Sequence, residues 1–145
     1  MGLPARARGD LGDEVTAWSP FADTAQDLGS PQVVFTEPEV AATGLSEAEA
    51  RGRGIDVQVV EYEIGNVSGA SLRADDYAGR AKMIVDRDRR VMVGLTLVGP
   101  GVGELIHAAT VAIVGEVPLE RLWHATPSFP TMSELYLRLL ETAGL

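Results

Sequence analysis

The chain has 145 residues, 46% of them hydrophobic and 23% charged, a length and balance that suit one globular domain rather than two. Twelve Lys and Arg against 21 Asp and Glu leave a net charge of −9, which repels phosphate backbones and anionic lipid and argues against a nucleic-acid or membrane partner. With no cysteine, the chain excludes disulfide scaffolds, thiolate nucleophiles, Cys-based zinc sites and redox dithiols of its own.

The first residues carry Arg6 and Arg8 with no apolar core behind them, so no signal peptide is expected. The longest apolar stretches, Val91 to Val98 and Ala108 to Gly115, fall short of the roughly 18 residues that span a bilayer. A soluble, cytoplasmic chain is the expectation. Residues 1 to 30 mix Gly, Pro, Asp and Ser with scattered Trp18, Phe21 and Leu28, and read as an arm ahead of the domain proper, residues 31 to 145.

Gln32-Val33-Val34-Phe35-Thr36, between Pro31 and Pro38, is a short β-branched and aromatic run that suits a strand. Ser46 with Glu49 forms a capping box for a short helix that Gly52 and Gly54 stop. From Asp56 to Ile64 the residues alternate, and the set Gln58, Val60, Tyr62 and Ile64 is expected to face inward. Gly65 to Asp76 reads as a loop. Ala81 to Val85 and Val91 to Val98 then form a hairpin, with the charged run Asp86-Arg87-Asp88-Arg89-Arg90 as its solvated tip.

Gly99-Pro100-Gly101-Val102-Gly103 opens a helix expected from about Val102 to Val114, apolar over more than one face. As a dinucleotide loop it fails, because Glu104 or Ile106 stands where the third glycine belongs. A tight turn with close helix–sheet approach is expected instead. Pro118 starts a helical turn through Trp123. Thr131, with Glu134 three residues on, is expected to cap a last helix whose apolar face is Met132, Leu135, Tyr136, Leu139 and Leu140. The two histidines, His107 and His124, are 17 residues apart and make no zinc spacing. The element order predicts an α+β fold, an antiparallel sheet with helices packed on one face.

Two segments narrow the reading: Pro31-Gln32-Val33-Val34-Phe35-Thr36-Glu37-Pro38-Glu39-Val40-Ala41 and His124-Ala125-Thr126-Pro127-Ser128-Phe129-Pro130-Thr131-Met132-Ser133-Glu134. With the hairpin and the glycine turn, they resemble the C-terminal dimerisation domain of the pyridine nucleotide-disulfide oxidoreductases, from about Pro31 to Leu145. The resemblance implies a domain that pairs two subunits and lends its partner a His-Pro-Thr segment followed by Glu. In the family the histidine is acid/base for a substrate thiol, and the glutamate orients it. Phe129 stands in that histidine's place here, and a phenyl ring cannot carry a proton. His124 is the candidate to substitute for it, and Glu134 is retained, although the Thr131 capping box alone accounts for Glu134.

Three functions compete. The irregular arm reads as a native leader, which favours a stand-alone homodimer turned into a cofactor-free enzyme on an apolar small molecule. An isomerase or cyclase is meant, such as one closing a polyketide ring in specialised metabolism. Its expected catalytic residues are His124 and Glu134, its cavity lining Tyr62, Trp123, Ser128, Phe129, Thr131 and Met132, and it uses no cofactor and no metal. The alternative is the dimerisation module of an FAD- and NAD(P)-dependent oxidoreductase. A non-catalytic small-molecule binder is a third reading.

Overall fold

A computed structural model describes residues 30–145; the expected arm, with Trp18 and Phe21, lies almost wholly outside the described residues. Five strands form one sheet in the order β1-β2-β5-β4-β3, every neighbouring pair antiparallel. They are β1 (Gln32–Val34), β2 (Glu39–Gly44), β3 (Val57–Glu63), β4 (Arg80–Asp86) and β5 (Val91–Gly99). The helices are α1 (Glu47–Gly52), α2 (Ser68–Ser71), α3 (Ile106–Val114), α4 (Leu119–Leu122) and α5 (Glu134–Ala143), with 3-10 turns at Ile64–Asn66 and Val102–Glu104.

The α+β class and the antiparallel sheet agree with the sequence reading, and several local expectations shift. The first strand stops at Val34, leaving Phe35 83% exposed beyond it. A second strand, Glu39–Gly44, follows at once and pairs both with β1 and with β5. The loop expected from Gly65 to Asp76 folds into a 3-10 turn and α2.

Side-chain alternation assigns each row of the sheet to a face. Val33, Ala41, Leu97, Ala81 and Tyr62 lie side by side across the five strands, and all belong to the main core. Over that core lie α3, through Ile106, Ala109 and Ile113, and α5, through Leu135, Leu139 and Leu140. Tyr62 thus faces inward as expected, half-buried against this core. Gln58 points the same way, its side-chain amide donating to the Ala143 carbonyl 3.1 Å away at the end of α5.

The opposite face is partly covered by α1, whose Ala50 packs with Val57, Ile84, Val91 and Val93. The short helix therefore sits across the sheet from the two long ones. Its start is the expected capping box: the Ser46 hydroxyl accepts from the Glu49 amide at 3.3 Å, and the Ser46 amide donates to the Glu49 carboxylate at 2.8 Å. A bulge between Ile84 and Val85 leaves Val93 as an extra residue on β5, and the Leu45 amide caps the Val93 carbonyl at 2.8 Å. Gly94 makes that approach possible, since a Cβ there would stand 1.9 Å from the Leu45 carbonyl oxygen.

Candidate functional site

The residues singled out in the sequence come from Tyr62 and from one continuous stretch, 123 to 134, and the structure distributes them between core and surface. Met132 and Glu134 are buried, and Thr131, Tyr62 and Trp123 are half-buried, the two aromatic rings packed on the main core. His124, Ser128 and Phe129 are exposed, Phe129 by 74%.

The path of residues 128 to 134 explains the division. The last helix begins at Glu134, not at a Thr131 cap: the Thr131 hydroxyl donates backward to the Ser128 carbonyl at 2.6 Å. Only the reciprocal half of the expected box forms, the Thr131 amide donating to Glu134 Oε2 at 3.2 Å. The same oxygen accepts the Gly69 amide of α2, also at 3.2 Å. Glu134 is 3% exposed, so two backbone amides compensate for burying its carboxylate. Gly69 is obligatory at this crossing, because a Cβ would stand 2.1 Å from the Thr131 carbonyl carbon. The carboxylate is a brace between α2 and the 128–131 segment, turned away from solvent.

The main apolar opening lies elsewhere. Between α3, the segment after α4 and α5 runs a groove of about 310 Å³, lined among others by Ala108, Val111, Leu122, Pro127, Tyr136 and Leu137. Val111 and Val114 are 55% and 52% exposed on α3. None of the six residues expected to line an apolar cavity is among its lining. The signal that could have found it was the apolar character of α3 on more than one face: Ile106, Ala109, Ala112 and Ile113 face the core, while Ala108, Val111 and Val114 face out. Of its two polar side chains, Ser133 and Tyr136, the Tyr136 hydroxyl is tied up, donating to the Leu105 carbonyl, and burial pushes that phenol well above the ordinary tyrosine value.

The groove's lining residues include no carboxylate, imidazole or thiol. Residues 30–139 match the family model described as the dimerisation domain of pyridine nucleotide-disulphide oxidoreductases. The chain belongs to this family, through that domain. It is similar to a dihydrolipoyl dehydrogenase of Bacillus subtilis, 33% identical over 116 residues, covering 79% of this chain and 25% of the relative. A dihydrolipoyl dehydrogenase of Thermus scotoductus is 36% identical over 108 residues, covering 74% and 23%. Among solved structures, the HOCl-induced flavoprotein disulfide reductase RclA from Escherichia coli superposes with a TM-score of 0.72 at 28% identity, over 78% of this chain and 26% of that one. The chain spans about a quarter of the length of the curated relatives it matches.

These relatives overturn the reading of a cofactor-free cyclase or isomerase acting on an apolar metabolite. They are dehydrogenases and a flavoprotein disulfide reductase, and the matched part is the one that pairs subunits. Neither an apolar ligand nor natural-product chemistry has support in them. No helix among the described residues is long and apolar enough to cross a membrane.

Proposed function

We propose that this chain is the dimerisation module of an FAD- and NAD(P)-dependent disulfide oxidoreductase, and that it meets a second copy of itself along the α3–α5 groove. The observation that carries the location is the groove itself, with Val111 and Val114 standing out of α3 beside it. An isologous contact places the same patch on both partners, so each exposed valine is buried twice per dimer. The family match supports pairing in general, and the apolar helix face supports this place for it.

In this reading the redox dithiol belongs to another part of the enzyme, since the chain has no cysteine. Phe129 brings an exposed phenyl ring to the place where the resemblance puts a proton-carrying histidine. Proton exchange with a substrate thiol then falls to His124, the one imidazole of the 123–134 stretch, and Glu134 supports the segment's backbone through the Thr131 amide. The test is the mass of the wild-type chain in solution by light scattering at micromolar concentration. Twice the chain mass is expected, and a monomer at all concentrations would refute the proposal.

A further inference from the structure

At the end of the sheet where β2 stops and β5 starts, a hollow of about 120 Å³ opens between the two cores. Its walls include Met92 and Ile113 of the main core and Leu45, Ile55, Val91 and Val93 of the cluster on the α1 face. It shares only Met92 with the lining of the α3–α5 groove. The mouth is charged: Arg53, Arg89 and Glu116 complete the lining, and all three are exposed. Arg89 Nη2 pairs with Glu116 Oε1 at 2.5 Å, and each of these two side chains keeps half or more of its surface open.

The backbone around the mouth departs from what its turns alone favour. Glu116 holds φ +46 and Arg90 φ +54, left-handed values that suit glycine. At Glu116 the turn is a helix stop: the Glu116 amide donates to the Ile113 carbonyl at 3.0 Å and the Val117 amide to the Ala112 carbonyl at 2.9 Å. Glycine would make that stop with less strain, yet the position carries a carboxylate that reaches across the mouth to Arg89. Arg90, next to Arg89 in the hairpin tip, pairs with Glu120 of α4, a second link between the tip and the end of α3. Strained backbone that presents opposite charges at the mouth of a cavity marks a candidate site.

Charge and size select the ligand. The ion pair uses one guanidinium nitrogen and one carboxylate oxygen, so further Arg89 N–H groups and Glu116 Oε2 can meet an anionic and a cationic group at once. A fatty acid would set its carboxylate beside Glu116 and offer that residue nothing, and a nucleotide is too large and too anionic. The volume holds roughly eight to twelve groups the size of a water, which is the size of an aliphatic amino acid. We infer that this hollow binds a free α-amino acid with a branched aliphatic side chain. The side chain enters between the two cores, the carboxylate meets Arg89 and Arg53, and the ammonium meets Glu116. The site goes beyond the dimerisation reading and does not depend on it.

Isothermal titration calorimetry of L-leucine into the full 145-residue chain tests it. One leucine per chain with a Kd of about 1 mM or tighter is expected. Isocaproate, which lacks the ammonium, isoamylamine, which lacks the carboxylate, and glycine, which lacks the side chain, should each bind at least about tenfold more weakly. Glu116→Gly suits the turn and removes only the carboxylate, so it should keep or raise the melting temperature while weakening leucine at least about tenfold. Arg89→Gln should weaken leucine to a similar degree. In methyl NMR spectra the shifts on adding leucine should centre on Val91, Val93 and Ile113. The inference is overturned if leucine does not saturate at about ten times that Kd, if any of the three partial ligands binds as tightly as leucine, or if either variant keeps wild-type affinity. Shifts on Val111 and Leu137 in the α3–α5 groove, in place of the hollow, also overturn it.

Discussion

Replacing Glu134 tests whether its carboxylate braces α2 against the 128–131 segment. The Glu134→Ala variant removes the acceptor from two amides, Gly69 and Thr131, at a site only 3% exposed. Each buried amide left unpaired costs about 1–3 kcal/mol, so the loss is roughly 2–6 kcal/mol. The Glu134→Gln variant keeps the shape and one oxygen and exchanges charge-assisted bonds for neutral ones, at about 1–2 kcal/mol in total. At about 4 °C per kcal/mol for a domain of this size, the melting temperature falls by about 8–24 °C for Ala and about 4–8 °C for Gln. Thermal unfolding followed by circular dichroism reads this, with protein concentration held fixed because dimerisation contributes to stability. A Glu134→Ala protein melting within about 2 °C of wild type would refute the brace.

Phe129→Ala should leave stability within about 0.5 kcal/mol of wild type, because the ring is 74% exposed, and a large drop in urea midpoint would mean that it is packed. Tyr136→Phe removes the donor to the half-buried Leu105 carbonyl and should cost about 1 kcal/mol by urea unfolding, while a stabilised variant would show that carbonyl to be satisfied without it. Hydrogen bonds from Lys82 and then Arg51 hold the Glu47 carboxyl below its ordinary value, so its contribution to folding is complete above the ordinary carboxylate range. That contribution fades as pH falls through the lowered value. In an acid-unfolding series the stability gap between wild type and Glu47→Gln should narrow toward low pH, and a gap that widens would reverse the assignment.

Where one physical signal decides a segment, the sequence was legible. The alternation of residues 57–63 and the Ser46 box appear as read, since each follows from local chemistry. The hairpin forms too, but Asp86, expected in its solvated tip, is the buried last residue of β4, where its carboxylate accepts the Asp88 and Arg89 amides. Strand β2 was hidden because Glu-Val-Ala-Ala-Thr-Gly has small residues and a terminal glycine, and its strand state comes from pairing with β5, over fifty residues away in sequence. At Thr131 two local options compete: the hydroxyl bonds the Ser128 carbonyl, and Glu134 turns to Gly69, a partner 65 positions distant. The groove was least legible of all. Its walls come from Met92 and from stretches around 108–117, 122–127 and 133–140, mostly Ala, Val, Pro and Leu, residue types that a linear reading assigns to a core, and the stretch from 123 to 134 drew attention because its chemistry is contiguous.

The α3-to-α3 dimer is tested most directly by the distance between two copies, and the absence of cysteine allows one spin label per chain. A Val114→Cys label marks the exposed end of α3, and a Thr96→Cys label marks the sheet face behind it. With helices about 8–10 Å apart across the seam and each sheet about 10 Å behind its helix, double electron–electron resonance should find the Thr96 pair roughly 20 Å farther apart than the Val114 pair. A Thr96 pair closer than the Val114 pair would place the second copy on the sheet, contradicting the account.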